Sequence, residues 1–591
     1  MDDRMVYLCG TSILPETGID RPVVFLVDSA ATDSIRARLE DTKYEIMPNI
    51  WSDKKILNNT SDYLGKVYKD LSEKAGLALS QIHRVDYPSS FWEIPMASWL
   101  LHYIQALYDR YARLKAAVNL YGVDKTTLLA CRYDMRPSSS YAEFIDKTSR
   151  DERSASFFYG ILARELGIPV LEFDSPKPDK RRSPVFERKP DILCGTFYRK
   201  VYKKLKGEVS NPIPLTIFRG KNILMAPYGF TKREMLIFSA KSDASFFPRN
   251  KPKTSKRRVD RTALLSIKGF DEFEDMAVKL LPALMPPYLL EEFDSYHEHA
   301  KRWADYKAYF SITDWYSNIL FCYAASLGRL RQAKIIGCQH GGGYGQYERT
   351  EFEFVERKFC DFYITWGWRD SLYDGAHLMP LAQPTLSRNL NKYRQRRKIA
   401  LWCGTTMPKQ LVRFGSYIPD VLGQYLATKK KFIDHLADEV RSCLIYRPHP
   451  VDYGWSNEEL DILKGHPEVR IEKDEPLSEV LKEARLYICD HQSTSFMEAF
   501  AINTPTILFW CDELVSEREN AASAFELLRK EGILFHDPVA AANQVNRIWD
   551  DVKGWWHEPS RQEARRKFID KFCKADHDWQ KQWVETFKKI I

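Results

Sequence analysis

Short apolar runs alternate along the chain with longer stretches in which apolar and polar positions are mixed. The runs at residues 23–27, 127–131 and 169–173 are compact and apolar, as buried strands are. Between the first two lies a stretch, residues 97–120, whose apolar positions recur at helical spacing. Those positions are Leu100, Ile104, Leu107, Tyr111 and Leu114. Short strands separated by helices are typical of parallel sheets covered on both faces, so the pattern predicts an α/β fold.

A second alternating series begins near Lys398. Its predicted strands are residues 399–402, 444–446, 486–489 and 506–510, and helical patterns start near Ser478 and Phe496. Two further strands, at residues 334–338 and 361–366, precede this series, and we expect the later one to close the first sheet at its edge. The sequence therefore predicts two Rossmann-like parallel-sheet domains facing across a cleft.

At 591 residues the chain is too long for one hydrophobic core. We predict an amino-terminal Rossmann-like domain with insertions over residues 1–384 and a second Rossmann-like domain over residues 398–554. The polar and basic stretch 385–397 is the expected linker. The aromatic-rich tail, residues 555–591, has a helical pattern and is expected to pack back onto the body.

Composition narrows the class of protein. A hydrophobic share of 44% excludes a disordered chain. No apolar run approaches the roughly 18 to 20 residues that span a bilayer, and the acidic start does not resemble a secretory signal. We therefore expect a soluble, cytoplasmic protein. The 11 cysteines are odd in number and several lie inside apolar runs, which argues against a disulfide framework, and no metal-ligand spacing occurs. No bound metal is expected.

The net charge of +8 is mild but unevenly distributed. Two runs, residues 177–189 and 249–261, carry much of the basic excess, and their proline and serine content predicts loops. Solvated loops are one interpretation. The other is peripheral contact with an anionic surface, either a glycan or the cytoplasmic face of the inner membrane. Nucleic acid is not an expected partner, because no recognition motif accompanies the charge.

Polar clusters follow the strands of the second series. RPHP occupies residues 447–450 and DHQSTS occupies residues 490–495. Carboxyl ends of parallel strands meet at one edge of a sheet, so we expect both clusters to face one ligand. Hydroxyl and backbone N–H groups at a helix start favour an anion, and guanidinium and imidazole groups add charge-assisted donors. Taken singly, each cluster is equally typical of a helix cap or a rigid turn. The predicted phosphate- and nucleotide-binding residues are Arg447, His449, Pro450, Ser493, Thr494, Ser495, Glu498, Gly404 and Thr405.

A glycine-rich loop, QHGGGYG at residues 339–345, follows the strand at residues 334–338. Consecutive glycines let a backbone approach a ligand closely. His340 is the side chain there that can move a proton near neutral pH, so it is the predicted base. Glu16, in a loop after the strand at residues 7–9, is the alternative carboxylate base. Glu93, expected just before the long helix, is a further candidate, although an ordinary surface or capping carboxylate is the simpler interpretation of both.

These motifs together resemble GT-B glycosyltransferases, and more narrowly the surface-carbohydrate transferases of bacterial O-antigen and capsule loci. The resemblance is clearest across residues 91–110 and 337–512. An HP pair with a downstream serine and threonine cluster also resembles enzymes with cytidine-nucleotide donors, namely bacterial sialyltransferases, capsule Kdo transferases and CDP-glycerol polymerases of teichoic acid. The last group also has a His-Gly pair, which His340-Gly341 matches.

The resemblance implies a metal-independent, inverting glycosyltransferase without a cofactor. It implies an acidic ulosonic sugar, Kdo or sialic-acid-like, carried from its CMP ester to a lipopolysaccharide, O-antigen or capsule glycan. The carboxyl-terminal domain is then the donor domain and the amino-terminal domain binds the glycan acceptor. The residues expected to line the acceptor cleft are Gln339, Gly341, Gly342, Tyr344 and Glu93. A UDP- or dTDP-hexose donor, a CDP-glycerol donor, or a non-catalytic nucleotide- or glycan-binding protein remain the alternatives.

Overall fold

The computed structural model describes residues 5–591 except 40–41, 175–220, 227, 249–251, 371–372, 416–418, 452, 454–455, 473 and 511–515. The chain forms two compact units. Unit 1 comprises Met1–Glu187, Pro252–His299 and Met407–Leu422. Unit 2 comprises Arg188–Lys251, Ala300–Thr406 and Gly423–Ile591.

The strands of the described residues, in chain order, are β1 Val6–Cys9, β2 Val23–Phe25, β3 Tyr44–Ile46, β4 Thr126–Cys131, β5 Val170–Phe173, β6 Ile223–Met225, β7 Ala244–Phe246, β8 Ala308–Phe310, β9 Lys334–Cys338, β10 Phe362–Thr365, β11 His377–Pro380, β12 Ala400–Cys403, β13 Leu444–Arg447, β14 Arg470–Ile471, β15 Leu486–Cys489, β16 Thr506–Phe509 and β17 Leu534–Phe535.

The α-helices of the same residues are α1 Asp33–Arg38, α2 Lys54–His83, α3 Ser89–Tyr121, α4 Tyr141–Ser149, α5 Glu152–Glu165, α6 Lys232–Ser242, α7 Glu272–Leu284, α8 Phe293–Ala300, α9 Asp314–Ser317, α10 Ile319–Arg329, α11 Glu351–Phe359, α12 Pro384–Asn389, α13 Leu422–Asp434, α14 Asp438–Ser442, α15 Ser456–Lys464, α16 Leu477–Glu483, α17 Thr494–Ile502, α18 Glu519–Lys530, α19 Pro538–Ile548, α20 Val552–Trp556, α21 Pro559–Phe572 and α22 Trp579–Ile590.

Unit 1 contains a five-stranded sheet in the order β3-β2-β1-β4-β5, with every pair parallel. The predicted strands at residues 7–9, 23–27, 127–131 and 169–173 all lie in it. The predicted long helix is present but begins at Ser89, so Glu93 lies inside α3, and the expectation that it precedes the helix is wrong. The helix continues through Pro95, because the burial of its aromatic residues, such as Trp92 and Trp99, offsets the lost hydrogen bond.

Unit 2 contains two six-stranded parallel sheets. One, here sheet B, has the order β11-β10-β9-β8-β6-β7, and the other, sheet C, has the order β14-β13-β12-β15-β16-β17. Their central strands are buried, which matches the continuous apolar runs of the sequence. The predicted α/β class with Rossmann-like parallel sheets is confirmed.

The edge of sheet B differs from the prediction. The strand expected to close the sheet, β10, pairs on its outer side with β11, in the register Phe362 to His377. The expectation that residues 361–366 form the edge is therefore wrong. The strand β11 has only four residues, which are half-buried or exposed, so it lacks the apolar run that marks the other strands.

The stretches predicted as linker and tail have defined structure in unit 2. After α12, the backbone N–H groups of Asn391 and Tyr393 donate to Ala501 O and Ile502 O at the end of α17. In the tail, Trp583 and Phe587 of α22 lie in the hydrophobic core of sheet B. Residues 1–384, predicted as one domain, contribute strands to the five-stranded sheet and to sheet B.

The structure describes most of the second basic run and none of the first. Residues 177–189 lie outside the described residues. In the other run, the Arg261 guanidinium pairs with the Glu291 carboxylate at 2.7 and 2.8 Å, and Arg257 Nε lies 3.2 Å from Asp294 Oδ2. These two charges are therefore partly neutralised within unit 1. No helix in the described part of the chain combines the length and apolar character needed to cross a bilayer.

Candidate active site

Strand β13 ends at Arg447 and delivers the RPHP turn to the carboxyl edge of sheet C. Nδ1 of His449 lies 3.1 Å from the backbone nitrogen of Val451. Burial lowers the pKa of His449 to about 4, so the ring is neutral at neutral pH. Nδ1 also lies 3.2 Å from Val451 O, so the Nδ1 edge of the neutral ring is held against the Val451 backbone. Pro450 is exposed.

The DHQSTS cluster lies at the start of α17. Ser493 occupies the N-cap with extended backbone, yet its hydroxyl makes no capping bond to the helix. It instead lies 2.7 Å from the hydroxyl of Ser495, which also accepts a hydrogen bond from the Tyr487 hydroxyl at 2.7 Å. The side chains thus leave the first-turn N–H groups of α17 uncapped, with the positive end of the helix dipole beside them.

The glycine-rich loop of sheet B contacts this helix start. The backbone N–H of Gly342 donates to Thr494 Oγ1 at 2.8 Å. A Cβ at residue 342 would lie 2.7 Å from the backbone of both Ser493 and Thr494, so glycine is required by close approach. At Gly341 the nearest atom to a Cβ would be Thr494 Oγ1, at an ordinary 3.5 Å. The structure therefore brings together the two motifs that carry the predicted site.

Further contacts fix the loop after Gly342 against sheet C. The Tyr347 hydroxyl donates to Gln492 O, and Gln492 Nε2 donates to Gln346 Oε1 at 2.8 Å. Arg518 forms a buried ion pair with Glu353, with 2.9 Å between Nη2 and Oε2. These buried bonds hold the two carboxyl edges in one arrangement.

His340 lies in an aromatic surrounding, with its side chain 23% exposed. Its Nδ1 is 2.8 Å from the Tyr344 hydroxyl and 3.4 Å from Glu356 Oε1. The other oxygen of Glu356 accepts the Tyr363 hydroxyl at 2.6 Å, so this carboxylate is held in place. An anion beside Nδ1 favours a proton there, which leaves the Nε2 lone pair as the basic one.

Two predicted acceptor-cleft residues have structural roles instead. Gln339 is fully buried, donates to Gly341 O, and accepts from Trp366 N and Trp368 Nε1 at 3.0 and 2.8 Å. The prediction that Gln339 lines a cleft is wrong, because both polar atoms of its buried amide form hydrogen bonds within the protein. Tyr344 is 3% exposed and its hydroxyl contacts His340, so it positions that ring.

Gly404 and Thr405, predicted to contact phosphate, belong to a buried polar network at the end of β12. The N–H of Thr405 donates to the Tyr425 hydroxyl at 2.7 Å, so it is not available to a ligand. A Cβ at Gly404 would overlap Lys429 Nζ and the Tyr446 hydroxyl. The Thr405 backbone N–H therefore does not bind phosphate, and Gly404 makes room for the buried lysine.

Lys429 is the centre of that network and was missed by sequence reasoning. Its ammonium is 2.5 Å from Glu459 and 3.4 Å from Asp490, and it lies over three aromatic rings. Those rings are Trp402, Tyr425 and Tyr446. In the sequence Lys429 is the first of three lysines; only its i,i+4 spacing from Tyr425 marks it as the inward one.

Asp490 and His491 connect this network to the helix start. Burial would raise the pKa of Asp490, but Lys429 and His491 lower it. Burial would lower the pKa of His491, but the negative charges of Cys489 and Asp490 raise it to about 10. His491 Nδ1 lies 3.0 Å from Asp490 Oδ1 and 3.5 Å from Cys489 Sγ. That sulfur in turn lies 3.8 Å from the hydroxyls of Ser493 and Ser495.

Glu498 projects from the first turns of α17. Burial raises its pKa to about 7, against the opposing effect of the nearby Arg447 guanidinium. Arg447 of the RPHP segment and Glu498 of α17 therefore interact electrostatically. Glu498 titrates near neutral pH and changes the charge beside the helix start.

The other two carboxylate candidates lie in unit 1. Glu16 is exposed on its loop. The carboxylate that engages the loop after β1 is Glu152, which accepts the N–H and the hydroxyl of Ser12, both at 2.6 Å. Glu93 interacts with the buried Tyr68 of α2 and raises its pKa, after the larger effect of burial.

Structural comparison finds distant matches. MurG from Acinetobacter baumannii is 12% identical, with 62% of this chain and 99% of that chain covered at a TM-score of 0.32. MnaA of S. aureus, in a structure with UDP, is 10% identical, covering 63% and 97% at a TM-score of 0.36. CalG4, the calicheamicin glycosyltransferase, is 12% identical, covering 63% and 98% at 0.32. At such low scores these matches carry no argument about chemistry.

Sequence comparison is more decisive. No curated protein matches the chain. The model of the LIC12162 family transferases, however, matches residues 11–587, nearly the whole sequence. The predicted transferase class is thereby confirmed, and the chain belongs to the LIC12162 transferase family.

Proposed function

We propose that this transferase is a metal-independent GT-B glycosyltransferase whose nucleotide-sugar donor binds at the start of α17. The observation that carries the proposal is the contact of Gly342 N–H with Thr494 Oγ1, at 2.8 Å. It joins the carboxyl edges of two parallel sheets, the position at which such folds bind nucleotides. The uncapped first turn of α17 supplies donors for a phosphate at that position.

The residues around the helix start stabilise negative charge on the departing phosphate. Arg447 contributes a positive charge, and His449 contributes a neutral imidazole held by the Val451 backbone. Donors that are already in place need no reorganisation when charge develops, which is worth several kcal/mol of barrier.

His340 is the proposed base. Glu356 and Tyr344 orient its ring through Nδ1, so Nε2 takes the proton from the attacking hydroxyl of the acceptor. The Gly341-Gly342 backbone beside it keeps the donor and the base close together. His340 is preferred to Glu16 because it lies on the loop whose Gly342 N–H contacts the start of α17.

We assign the donor to the CMP-linked class, with an acidic ulosonic sugar and a bacterial surface glycan as acceptor. The support is the motif resemblance: an HP pair at residues 449–450 and a hydroxyl cluster at residues 493–495. We do not propose contact with an anionic membrane, because Arg257 and Arg261 form ion pairs with Asp294 and Glu291.

Thermal unfolding with CMP, CDP, UDP and dTDP tests the assignment. A nucleotide present at 100 times its Kd stabilises the folded state by about 2.7 kcal/mol. We expect cytidine nucleotides to raise the Tm, and a His449→Ala variant to lose that increase while unfolding cooperatively. Stabilisation by UDP or dTDP alone would contradict the donor class, and an unchanged response of His449→Ala would contradict the site.

A further inference from the structure

A polar cavity lies at the carboxyl end of α17. It has a volume of about 390 Å³, in the range of small-molecule sites. It is formed by residues 391–395, the C-cap residue Asn503, and the helix α20 with His557 after it. The nine residues of α17 separate the cavity from the proposed donor site by about 13 Å.

Helix carboxyl ends normally present free carbonyl groups, which repel anions. Here the last carbonyls of α17 are already occupied. Arg565 Nε donates to Phe500 O at 2.7 Å, and Trp556 Nε1 donates to Asn503 O at 3.1 Å. The Ala501 and Ile502 carbonyls accept the backbone N–H groups of the segment at residues 391–393. The carbonyl oxygens at this end of the helix are thus already bonded within the protein.

The two asparagines of the cavity have fixed amide orientations. Asn503 Oδ1 accepts from Trp556 Nε1 at 2.8 Å, and Asn391 Oδ1 accepts from Arg565 Nη2 at 2.9 Å. Indole and guanidinium groups can only donate, so each oxygen must face its partner. The remaining polar group of each asparagine is therefore its NH₂, a donor.

The other lining residues are Tyr393, Arg394, Gln395, Lys553 and His557. The charged side chains among them are cations, and the Gln395 amide offers both a donor and an acceptor. Arg394 and Lys553 line the cavity, and neither forms an ion pair with the described residues. The Tyr393 hydroxyl is buried without a hydrogen-bond partner among these residues, which is costly unless a ligand supplies one. Of the described residues, no Asp or Glu lines the cavity, and His557 adds a titratable group.

We propose that this cavity binds an oxyanion carried by a small ligand, a phosphate or carboxylate group on a sugar or a lipid headgroup. Carbonyl groups that would repel it are consumed, two amides are fixed as donors, and two unpaired cations complete the site. The proposal is independent of the proposed function, because it uses none of the residues at the amino end of α17.

Calorimetric titration with glucose 6-phosphate and co-sedimentation with vesicles of 30% phosphatidylglycerol in phosphatidylcholine distinguish the two sources. The variant Arg394→Gln/Lys553→Gln removes both cations from exposed positions. Lys588→Gln/Lys589→Gln, on the exposed face of α22, removes the same charge elsewhere and is the matched control. Glucose and pure phosphatidylcholine vesicles are the uncharged ligand controls.

We expect binding of one of the two probes to weaken about tenfold or more in the cavity variant and to stay unchanged in the α22 variant. Loss confined to glucose 6-phosphate identifies a soluble ligand, and loss confined to the vesicles identifies a headgroup. Equal binding by both variants, equal binding of the uncharged controls, or no binding of either probe to the wild-type protein would overturn the proposal.

Discussion

The two ends of α17 reach a donor-rich surface by different means. At its amino end, the helix itself supplies the donors: the Ser493 hydroxyl turns away from capping and leaves the first N–H groups uncapped by side chains. At its carboxyl end, the helix supplies acceptors, and Arg565, Trp556 and the segment at residues 391–393 consume them. Because these carbonyl groups are already bonded, the cations Arg394 and Lys553 determine the charge of the cavity.

Helix polarity alone therefore does not determine which hydrogen-bonding groups a helix end presents. The amino end of α17 presents N–H donors simply because no side chain caps it. The carboxyl end needs partners from three other segments, distant in sequence. An amino-end site can therefore be inferred from a local motif, whereas a carboxyl-end site becomes visible only in the structure.

The largest expected effect is on proton transfer at the amino-end site. Changing His340→Gln removes the proposed base but leaves the phosphate donors in place. Transfer from the natural donor should fall by about 10²- to 10⁴-fold, while nucleotide affinity stays unchanged. Activity and calorimetric affinity measured on the same variant check this, and the exposed His435→Gln provides the control. Full activity of His340→Gln would rule out this base.

The contact between the two sheets is expected to be sensitive to a single methyl group. In Gly342→Ala the new Cβ meets backbone atoms of Ser493 and Thr494 at 2.7 Å, so one of the loops must move. We expect a loss of about 1–3 kcal/mol in unfolding free energy, and much weaker nucleotide binding. Gly341→Ala is the matched control, since its Cβ meets only Thr494 Oγ1 at 3.5 Å. Equal effects in chemical denaturation would contradict this packing.

The Thr494 hydroxyl should matter through the hydrogen bond that it accepts. Thr494→Val keeps the shape of the side chain but leaves the Gly342 N–H without this partner, at a cost of about 1–3 kcal/mol. Thr494→Ser restores the acceptor and should recover most of the loss. Denaturant unfolding of both variants measures the difference, and a serine variant as unstable as the valine variant would argue against the bond.

The smallest expected effect is a pH dependence from Glu498. Its pKa of about 7 in the folded protein lies above that of an unfolded glutamate, so its contribution to stability is complete below about pH 4.5 and is lost as the pH rises through 7. Unfolding free energy should fall by about 1 kcal/mol between pH 6 and pH 8 on this account. Glu498→Gln should remove that part of the decrease. An identical pH profile in the two proteins would show that Glu498 does not titrate in this range.

Much of the fold was predictable from the sequence because most central strands are continuous apolar runs. The strands β12, β13, β15 and β16 were predicted within one or two residues for that reason. The strands β6, β7 and β8 have three residues each, too few to establish a period, and β11 has no buried run. Their places in sheet B are set by pairing with neighbours.

The candidate site was predictable only where its residues share one short segment. His340 and the 493–495 cluster follow strand ends directly, so the sheet brings them to the carboxyl edges. Glu356 and Lys429 reach the same region from helices, and their positions depend on how each helix rotates against its sheet. Conversely, the Gln339 amide and the Thr405 backbone N–H are suited to a ligand, but both form hydrogen bonds within the protein, which the sequence pattern does not show.

The most direct test of the central claim is a crystal structure of the protein with CMP. We predict the phosphate within hydrogen-bonding distance of the backbone N–H groups at the start of α17, beside Gly342 and His449. A phosphate bound only in the cavity at the carboxyl end of α17, or CMP bound away from both carboxyl edges, would contradict the account.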